Sequence, residues 1–481
     1  MKLQFNPLQL ACLLPMAAVA QSTEQPNIIL IMCDDLGWGD TGFNGNNTIQ
    51  TPNLDALSKE GVKLNWFYSS SPVSSPTRAS VMTGRNPYRM GIFTANAGIL
   101  RPEERTIAEE LKEIGYTAGH FGKWHLGSLS KTVKDANRGG AEHPELYNLP
   151  SEHGFDDSFV TESKVPTYDP MIKPKGGKGH FWDYVKANEE SEVYGTAYWR
   201  HDGSMATDNL AGDDSRVIMD RVIPFIDNAV ASDTPFFSTV WFHAPHLPCV
   251  AGAEHAAIYK DYPLNERNYY GCITAMDEQV GRLVRYLKNL GVFENTVIMF
   301  CSDNGPERNT PGTAAHLKER KRSLHEGGVR VPAFAVWSGK IAKGSSLNSA
   351  MVTSDYFPTI MEIVGKEFTH TVDGESILPI LMGESDERSN PIVFCHNDKQ
   401  GAIVDGDYKL YYRKGNYELY NIKQDPGEQN DISAQSIDIA KSLEAKMKQT
   451  YKEFKASFDG KEYGTESYKR LNQKWDDVLE N

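Results

Sequence analysis

Short, wholly apolar runs recur along the chain. NIILIMC (Asn27 to Cys33), TAGHFG, FFSTVWF (Phe236 to Phe242), TVIMFCS (Thr296 to Ser302) and AFAVW read as strands buried on both faces. Between the third and fourth, AMDEQVGRLVRYLKNLGV places apolar residues at helical spacing and closes near a glycine. This βαβ alternation predicts an α/β fold, with a mostly parallel mixed central sheet and helices on both faces. From Gly139 to Asp213 the periodicity fades into Gly, His, Tyr, Trp and charged residues, as in a functional or disordered insertion. Beyond residue 375, GAIVDGDYKLYYRKGNYELYNI alternates around turn signals at Asp405-Gly406 and Lys414-Gly415-Asn416, predicting antiparallel hairpins. Ile437, Ala440, Leu443, Met447, Tyr451 and Phe454 then mark one face of an amphipathic helix. The expected division is an export signal at 1–20, a main domain at 24–375 and a small α+β subdomain at 376–481.

Composition narrows the picture. With 40% hydrophobic and 24% charged residues the chain is ordinary globular material. A net charge of −14 argues against a duplex nucleic-acid binder, but a local cluster of cations can still favour a small anion. At the N-terminus, Lys2, an apolar run from Leu8 to Ala20 and Ala18-Val19-Ala20 before Gln21 match a cleaved export signal. No run is long enough to span a bilayer, so an exported, periplasmic protein is expected. Cys33, Cys249, Cys272, Cys301 and Cys395 remain after cleavage, an odd number that excludes a fully paired disulfide framework.

Two predicted strands end alike, one on Asp34-Asp35 and the other on Asp303-Asn304. Ligand crevices in α/β sheets lie beyond the carboxyl ends of strands. Three carboxylates and an amide oxygen form a hard set suited to Ca²⁺ or Mg²⁺; either pair alone could be only a turn or a helix cap. GKWHLG puts Lys123 and His125 on the same side of an extended segment. HAPHLP offers His243 and His246 after an apolar strand, and Lys321 precedes Glu326-Gly327-Gly328. Singly, such residues are more often structural or solvated.

The tract SSSPVSSPTRASVMTGR, Ser69 to Arg85, joins these into a pattern. Ser74-x-Pro76-x-Arg78 leads into Thr83-Gly84-Arg85, and its order with DDLGWGD, GKWHLG, HAPHLP, SDNG and EGGVRVP resembles that of the type I sulfatases of the alkaline-phosphatase superfamily, over nearly the whole mature chain. The resemblance selects Ser74 and implies its oxidation to Cα-formylglycine, whose hydrate ionises on a divalent cation more readily than a serine hydroxyl and can later expel sulfate. It further implies that Asp34, Asp35, Asp303, Asn304 and the modified Ser74 hold the cation. Arg78 and Lys123 would hold the hydrate and Lys321 the sulfate oxygens. His246 would protonate the leaving alcohol, and His125 would be the base that opens the sulfated intermediate. Serine at the carrier position, where many relatives have cysteine, implies an anaerobic radical maturing enzyme as partner. Thr77 also stands where a smaller residue is usual.

Aromatic and hydrogen-bonding side chains suit a sugar ring. Tyr168, His180, Trp182, Tyr184, Trp199, Arg200 and His201 of the insertion, with His243, His396 and Asn397, are therefore the expected substrate contacts. Export and the resemblance together point to a sulfated oligosaccharide, a glycosaminoglycan or mucin-type glycan with sulfate on galactose or N-acetylhexosamine. A phosphatase or phosphodiesterase of the same superfamily, and a non-catalytic glycan-binding protein with unmodified Ser74, are the rival readings.

Overall fold

A computed structural model describes residues 25–175, 188, 190–463 and 474–479. The proposed signal segment, His180, Trp182 and Tyr184 lie outside the described residues. A nine-stranded sheet forms the centre. Across it run Ser345–Leu347, Val62–Leu64, Phe334–Trp337, Thr296–Ser302, Asn27–Cys33, Phe236–Trp241, Thr117–Lys123, Asp157–Thr161 and Tyr198–Arg200. The five strands from Thr296–Ser302 to Asp157–Thr161 run parallel; Phe334–Trp337 is antiparallel to both of its neighbours, and Tyr198–Arg200 is antiparallel to Asp157–Thr161.

Alternation along each inner strand explains why both faces are apolar. Ile28, Leu30, Met32, Phe237, Val297 and Met299 enter one hydrophobic layer, together with Ala79, Val81 and Met82 of the helix Ser74–Thr83. Ile29, Ile31, Val240, Ile298 and Phe300 enter the other, against Val217 to Ile226 of the helix Asp214–Ala231 and against the helix Leu264–Asn289. Each strand thus buries its side chains twice over, which requires the continuous apolar runs. The helix Leu264–Asn289 begins well before the predicted Ala275, because its N-terminal half packs Tyr269, Cys272 and Ile273. Among the described residues no helix is long and apolar enough to cross a membrane, and Cys33, Cys249, Cys272, Cys301 and Cys395 are buried free thiols.

Four antiparallel strands, Ile392–His396, Gln400–Asp405, Tyr408–Arg413 and Asn416–Asn421, follow. Their turns carry Gly406 and Gly415 at positive φ, the backbone the turn signals foretold. The helix Ile437–Phe458 lays Leu443, Met447, Tyr451 and Phe454 on this sheet and on Tyr88 and Phe93. Ile437 is exposed, so the packed part of the predicted apolar face begins at Ala440. Ile377, Ile380 and Leu381 still belong to the main core.

Candidate active site

The parallel pairing of Asn27–Cys33 with Thr296–Ser302 sets Cys33 opposite Ser302. Asp34 and Asp303 therefore leave the sheet side by side, and the Asp35 amide donates to Asp303 Oδ1 at 3.1 Å. Asp35 and His125 both hold the left-handed backbone region, at φ 66° and 56°, a conformation costly for non-glycine residues that concentrates at functional sites. Lys123 ends the strand Thr117–Lys123. Ser74 opens the helix Ser74–Thr83, whose positive end faces the carboxylates. Gly305 lets a distant loop come close: a Cβ there would stand 2.0 Å from the Gly327 carbonyl, and the Gly305 amide donates to Gly328 O at 2.9 Å. This backbone contact carries the Lys321 loop to the Asp303 loop.

The result is a buried lattice of opposite charges. Ser74 Oγ lies 3.2 Å from Asp34 Oδ1 and 3.4 Å from Lys123 Nζ. Lys123 Nζ donates to Asp34 Oδ2 at 2.7 Å. Arg78 Nη2 donates to Asp303 Oδ2 at 2.8 Å, and its guanidinium stacks 5.0 Å from the Trp241 ring. Lys321 Nζ spans both oxygens of Asp35 at 2.6 and 2.8 Å, and Asn304 Nδ2 donates to Asp35 Oδ1 at 2.7 Å. Three carboxylates thus face three cationic side chains.

Burial raises every carboxyl here, but Lys123 and Arg78, with their neighbours, outweigh it at Asp34 and hold that group well below the usual range. At Asp35 burial and the adjoining carboxylates prevail over Lys321 and push the group up to about 6. Burial and nearby cations hold His125 and His246 well below the usual imidazole value. His246 Nδ1 lies 2.7 Å from the Leu247 carbonyl. Donation to that acceptor leaves Nε2, 3.6 Å from Asp35 Oδ2, as the free ring atom.

Two observations bear on a cation. Asn304 Oδ1 is a buried acceptor without a hydrogen-bond partner, and such an atom is costly to leave alone. Asp34, Asp35 and His246 each offer a ligand atom within 4.8 Å of the others. The oxygen-rich donor set fits a hard dication.

Above this floor opens a cleft of about 790 Å³, lined by Ser74, Lys123, His125, His246, Lys321 and His396 among others. Asp34, Asp35, Arg78, Asp303 and Asn304 lie beneath it, fully buried. Asn397 is also on the wall. Other expected substrate contacts are elsewhere. His243 is buried, with Nδ1 2.8 Å from Asp214 Oδ2 and Nε2 2.6 Å from Thr161 Oγ1; it braces the helix Asp214–Ala231 against the sheet. Arg200 and His201 line a separate surface cleft beside Phe159 and Arg221. Trp199 is buried and donates to Asp135 at 2.7 Å, and Tyr168 packs over Gly252. The wall also includes Asn96, Asn137, Ser163, Lys164, Glu307 and Arg322, loop residues whose sequence carries no periodic signal.

Known proteins bear on this arrangement. A family profile described as Sulfatase matches residues 26–366, and one described as N-sulphoglucosamine sulphohydrolase, C-terminal, matches 316–456. An N-acetylgalactosamine-6-sulfatase of Canis lupus familiaris is 30% identical over 82% of this chain and 73% of its own length. A sulfatase of Formosa agariphila is 28% identical over 90% of this chain and 91% of its own. The crystal structure of Ps i-CgsB in complex with k-i-k-neocarrahexaose has a TM-score of 0.76 at 28% identity, covering 88% of this chain and 92% of that one. A phosphonate monoester hydrolase of Agrobacterium radiobacter, TM-score 0.63 at 18% identity and covering 89% and 96%, shares the fold alone.

Proposed function

This chain belongs to the sulfatase family of the alkaline-phosphatase superfamily and is a sulfuric ester hydrolase; from that premise we propose that it removes sulfate from a glycan, with Ser74 matured to Cα-formylglycine. The observation that carries the reading is the set of contacts around Ser74: its hydroxyl sits between Asp34 and Lys123, while Arg78 bridges toward Asp303. A divalent cation held by Asp34, Asp35, Asp303 and Asn304, Ca²⁺ or Mg²⁺, would supply Lewis-acid polarisation of a sulfate oxygen, and formylglycine would supply the hydroxyl nucleophile.

The remaining work falls to the chain. Lys123 and Arg78 orient residue 74, and Lys321 meets the anionic ester. A sulfate monoester entering the cleft favours the protonated form of His246, and with Nδ1 held by Leu247 O the proton passes to the leaving oxygen from Nε2. His125, which lines the same cleft, carries proton transfer at the release of sulfate. His396, Asn397 and Asn96 line the cleft with donors suited to sugar hydroxyls. The relatives that act on N-acetylgalactosamine sulfate and the neighbour bound to a neocarrahexaose support a galactose or N-acetylhexosamine sulfate as substrate. Residues 24–375 would form the catalytic domain and 376–481 its subdomain, matured by a radical enzyme and exported to the periplasm.

The phosphatase reading is less well supported, because two-metal phosphatases need a second ligand set and the described residues hold one such His/Cys/Asp/Glu group. The test is the mass of the Ser74 peptide from protein made in its native host, beside hydrolysis of sulfated N-acetylhexosamines and galactose. The expected peptide is lighter than its sequence by a pair of hydrogens. An unmodified peptide from protein that still cleaves sulfate esters would refute the nucleophile.

A further inference from the structure

The cleft carries one cation that the reaction leaves unused. Among the described residues its wall includes Lys123, Lys164, Arg308, Lys321 and Arg322, with Glu307 as the one carboxylate beside them. Lys123 and Lys321 are tied to Asp34 and Asp35 on the floor. Arg322 Nη2 donates to Glu307 Oε2 at 2.8 Å, and Arg308 Nη2 lies 3.7 Å from Glu319 Oε2. Of the five, only the Lys164 side chain makes no ion pair or hydrogen bond with the described residues.

Its place is set by the backbone on either side. Lys164 follows the carboxyl end of the strand Asp157–Thr161, and from Ser158 to Thr167 it is the one residue that is not buried. Thr161 Oγ1 donates to Ser163 O at 2.7 Å, and the Thr167 amide donates to Pro248 O at 3.2 Å. The segment is thus anchored before and after the lysine. Its charge is felt at His246: burial chiefly, then Lys321, Lys123 and Lys164, hold that imidazole down. In the proposed reaction His246 serves the oxygen that stays with the sugar. A cation grouped with His246 but not tied to the carboxylate floor is therefore placed for the carbohydrate rather than for the departing sulfate. Neutral hydroxyls would be met well enough by amides such as Asn96 and Asn397. An ammonium that loses water as the cleft fills is costly to bury unless an anion takes the place of that water.

We propose that Lys164 is a specificity-determining residue that binds a second anionic group of the glycan, a uronate carboxylate or a further sulfate, near the ester being cleaved. The inference rests on the sugar sulfate reading above and names the class of glycan within it. Two matched pairs of ligands test it. An unsulfated disaccharide of N-acetylhexosamine and uronate, beside its counterpart with a neutral hexose, is followed by calorimetry and needs no turnover. An N-acetylhexosamine disulfate, beside the monosulfate, is followed by kcat/KM, or by Kd where neither is cleaved. The first pair reports a carboxylate and the second a further sulfate. Wild type is expected to prefer the anionic member of at least one pair by about tenfold, between the small effect of an exposed ion pair and the large one of a buried pair. That preference should shrink as salt rises. Lys164→Gln is expected to lose it and Lys164→Arg to keep most of it. No preference in wild type, or one that Lys164→Gln retains, would overturn the proposal. An equal loss on both members of each pair would overturn it too, by giving the lysine to the departing sulfate. If wild type cleaves no sulfate ester while Lys164→Gln loses the preference, the proposed function falls and the anion site stands.

Discussion

Two clusters of buried charge, alike in composition, have different fates. Beneath the cleft, Asp34, Asp35 and Asp303 meet Arg78, Lys123 and Lys321. Between the main body and the C-terminal sheet, Glu326 and Glu428 meet Lys409, Arg330 and His325. In the second cluster each carboxylate oxygen lies near a cation or a donor, although Glu428 Oε1, 3.2 Å from Lys409 and from His325, makes no hydrogen bond. Glu326 takes Lys409 at 2.8 Å and Tyr68 at 3.0 Å, and Glu428 takes the Glu326 amide at 2.7 Å and Lys409 at 3.2 Å. Lys409, Glu326 and Glu428 are fully buried. The first cluster opens on a cleft; an acceptor without a hydrogen bond and a left-handed backbone occur in both, at Asn304 and Asp35 in the first and at Glu428 in the second. Complementary charge is therefore common to a clamp and to a reaction site. What distinguishes the site is the opening above it, onto which Lys123 and Lys321 face.

Removing one member from each cluster gives the sharpest contrast. Asp303→Ala should abolish sulfate ester turnover and the rise in Tm produced by added Ca²⁺ or Mg²⁺; normal turnover would exclude Asp303 as a ligand. Lys409→Met should leave two carboxylates without their cation and cost about 3–5 kcal/mol of stability, read by denaturant unfolding. The kcat of the folded fraction should stay near wild type. If kcat falls with it, the clamp is part of the site and the contrast fails.

A smaller effect separates the clusters by pH. Asp35, raised to about 6 chiefly by burial, takes up a proton in the cation-free fold that the unfolded chain takes up only at the ordinary carboxylate pKa. Acid thus favours the cation-free fold through this group and opposes the cation. Glu428 is the reverse: burial raises it, but Lys409 and His325 outweigh burial and hold it below its ordinary value. Its contribution persists above that ordinary value and is lost only as pH falls through the lower folded one. The cation-induced Tm rise should therefore shrink as pH falls through about 6. The Tm gap between wild type and Lys409→Met should survive to more acid pH. Parallel loss of both would erase the distinction.

The readable part of the molecule was whatever periodicity or strand position encodes. The inner strands are apolar on both faces because helices cover both, so their runs stand out, and acidic pairs at their ends mark the crevice. The edge strand Ser345–Leu347 and its neighbour Val62–Leu64 are too short to stand out, and Asp157–Thr161 hides in the polar insertion. Ser74 could be chosen among its neighbours only through resemblance. His243 and His246 follow one strand with nothing local to separate them; Asp214, on a helix that precedes the strand, claims the first. Arg200 and His201 match the chemistry of a sugar site, but the edge strand ending at Arg200 carries them to another surface.

The contacts that assemble the site also span great lengths of chain. Asp303 meets Asp35 across 268 residues, and Lys321 reaches back to the same group across 286. Non-local pairings of this kind form slowly. A nascent chain carries Ser74 long before it owns the floor that will surround it, and an N-terminal fragment ending before residue 303 cannot complete that floor. Maturation of the pocket is a late event in the life of the polypeptide, set by topology rather than by the local sequence around the serine.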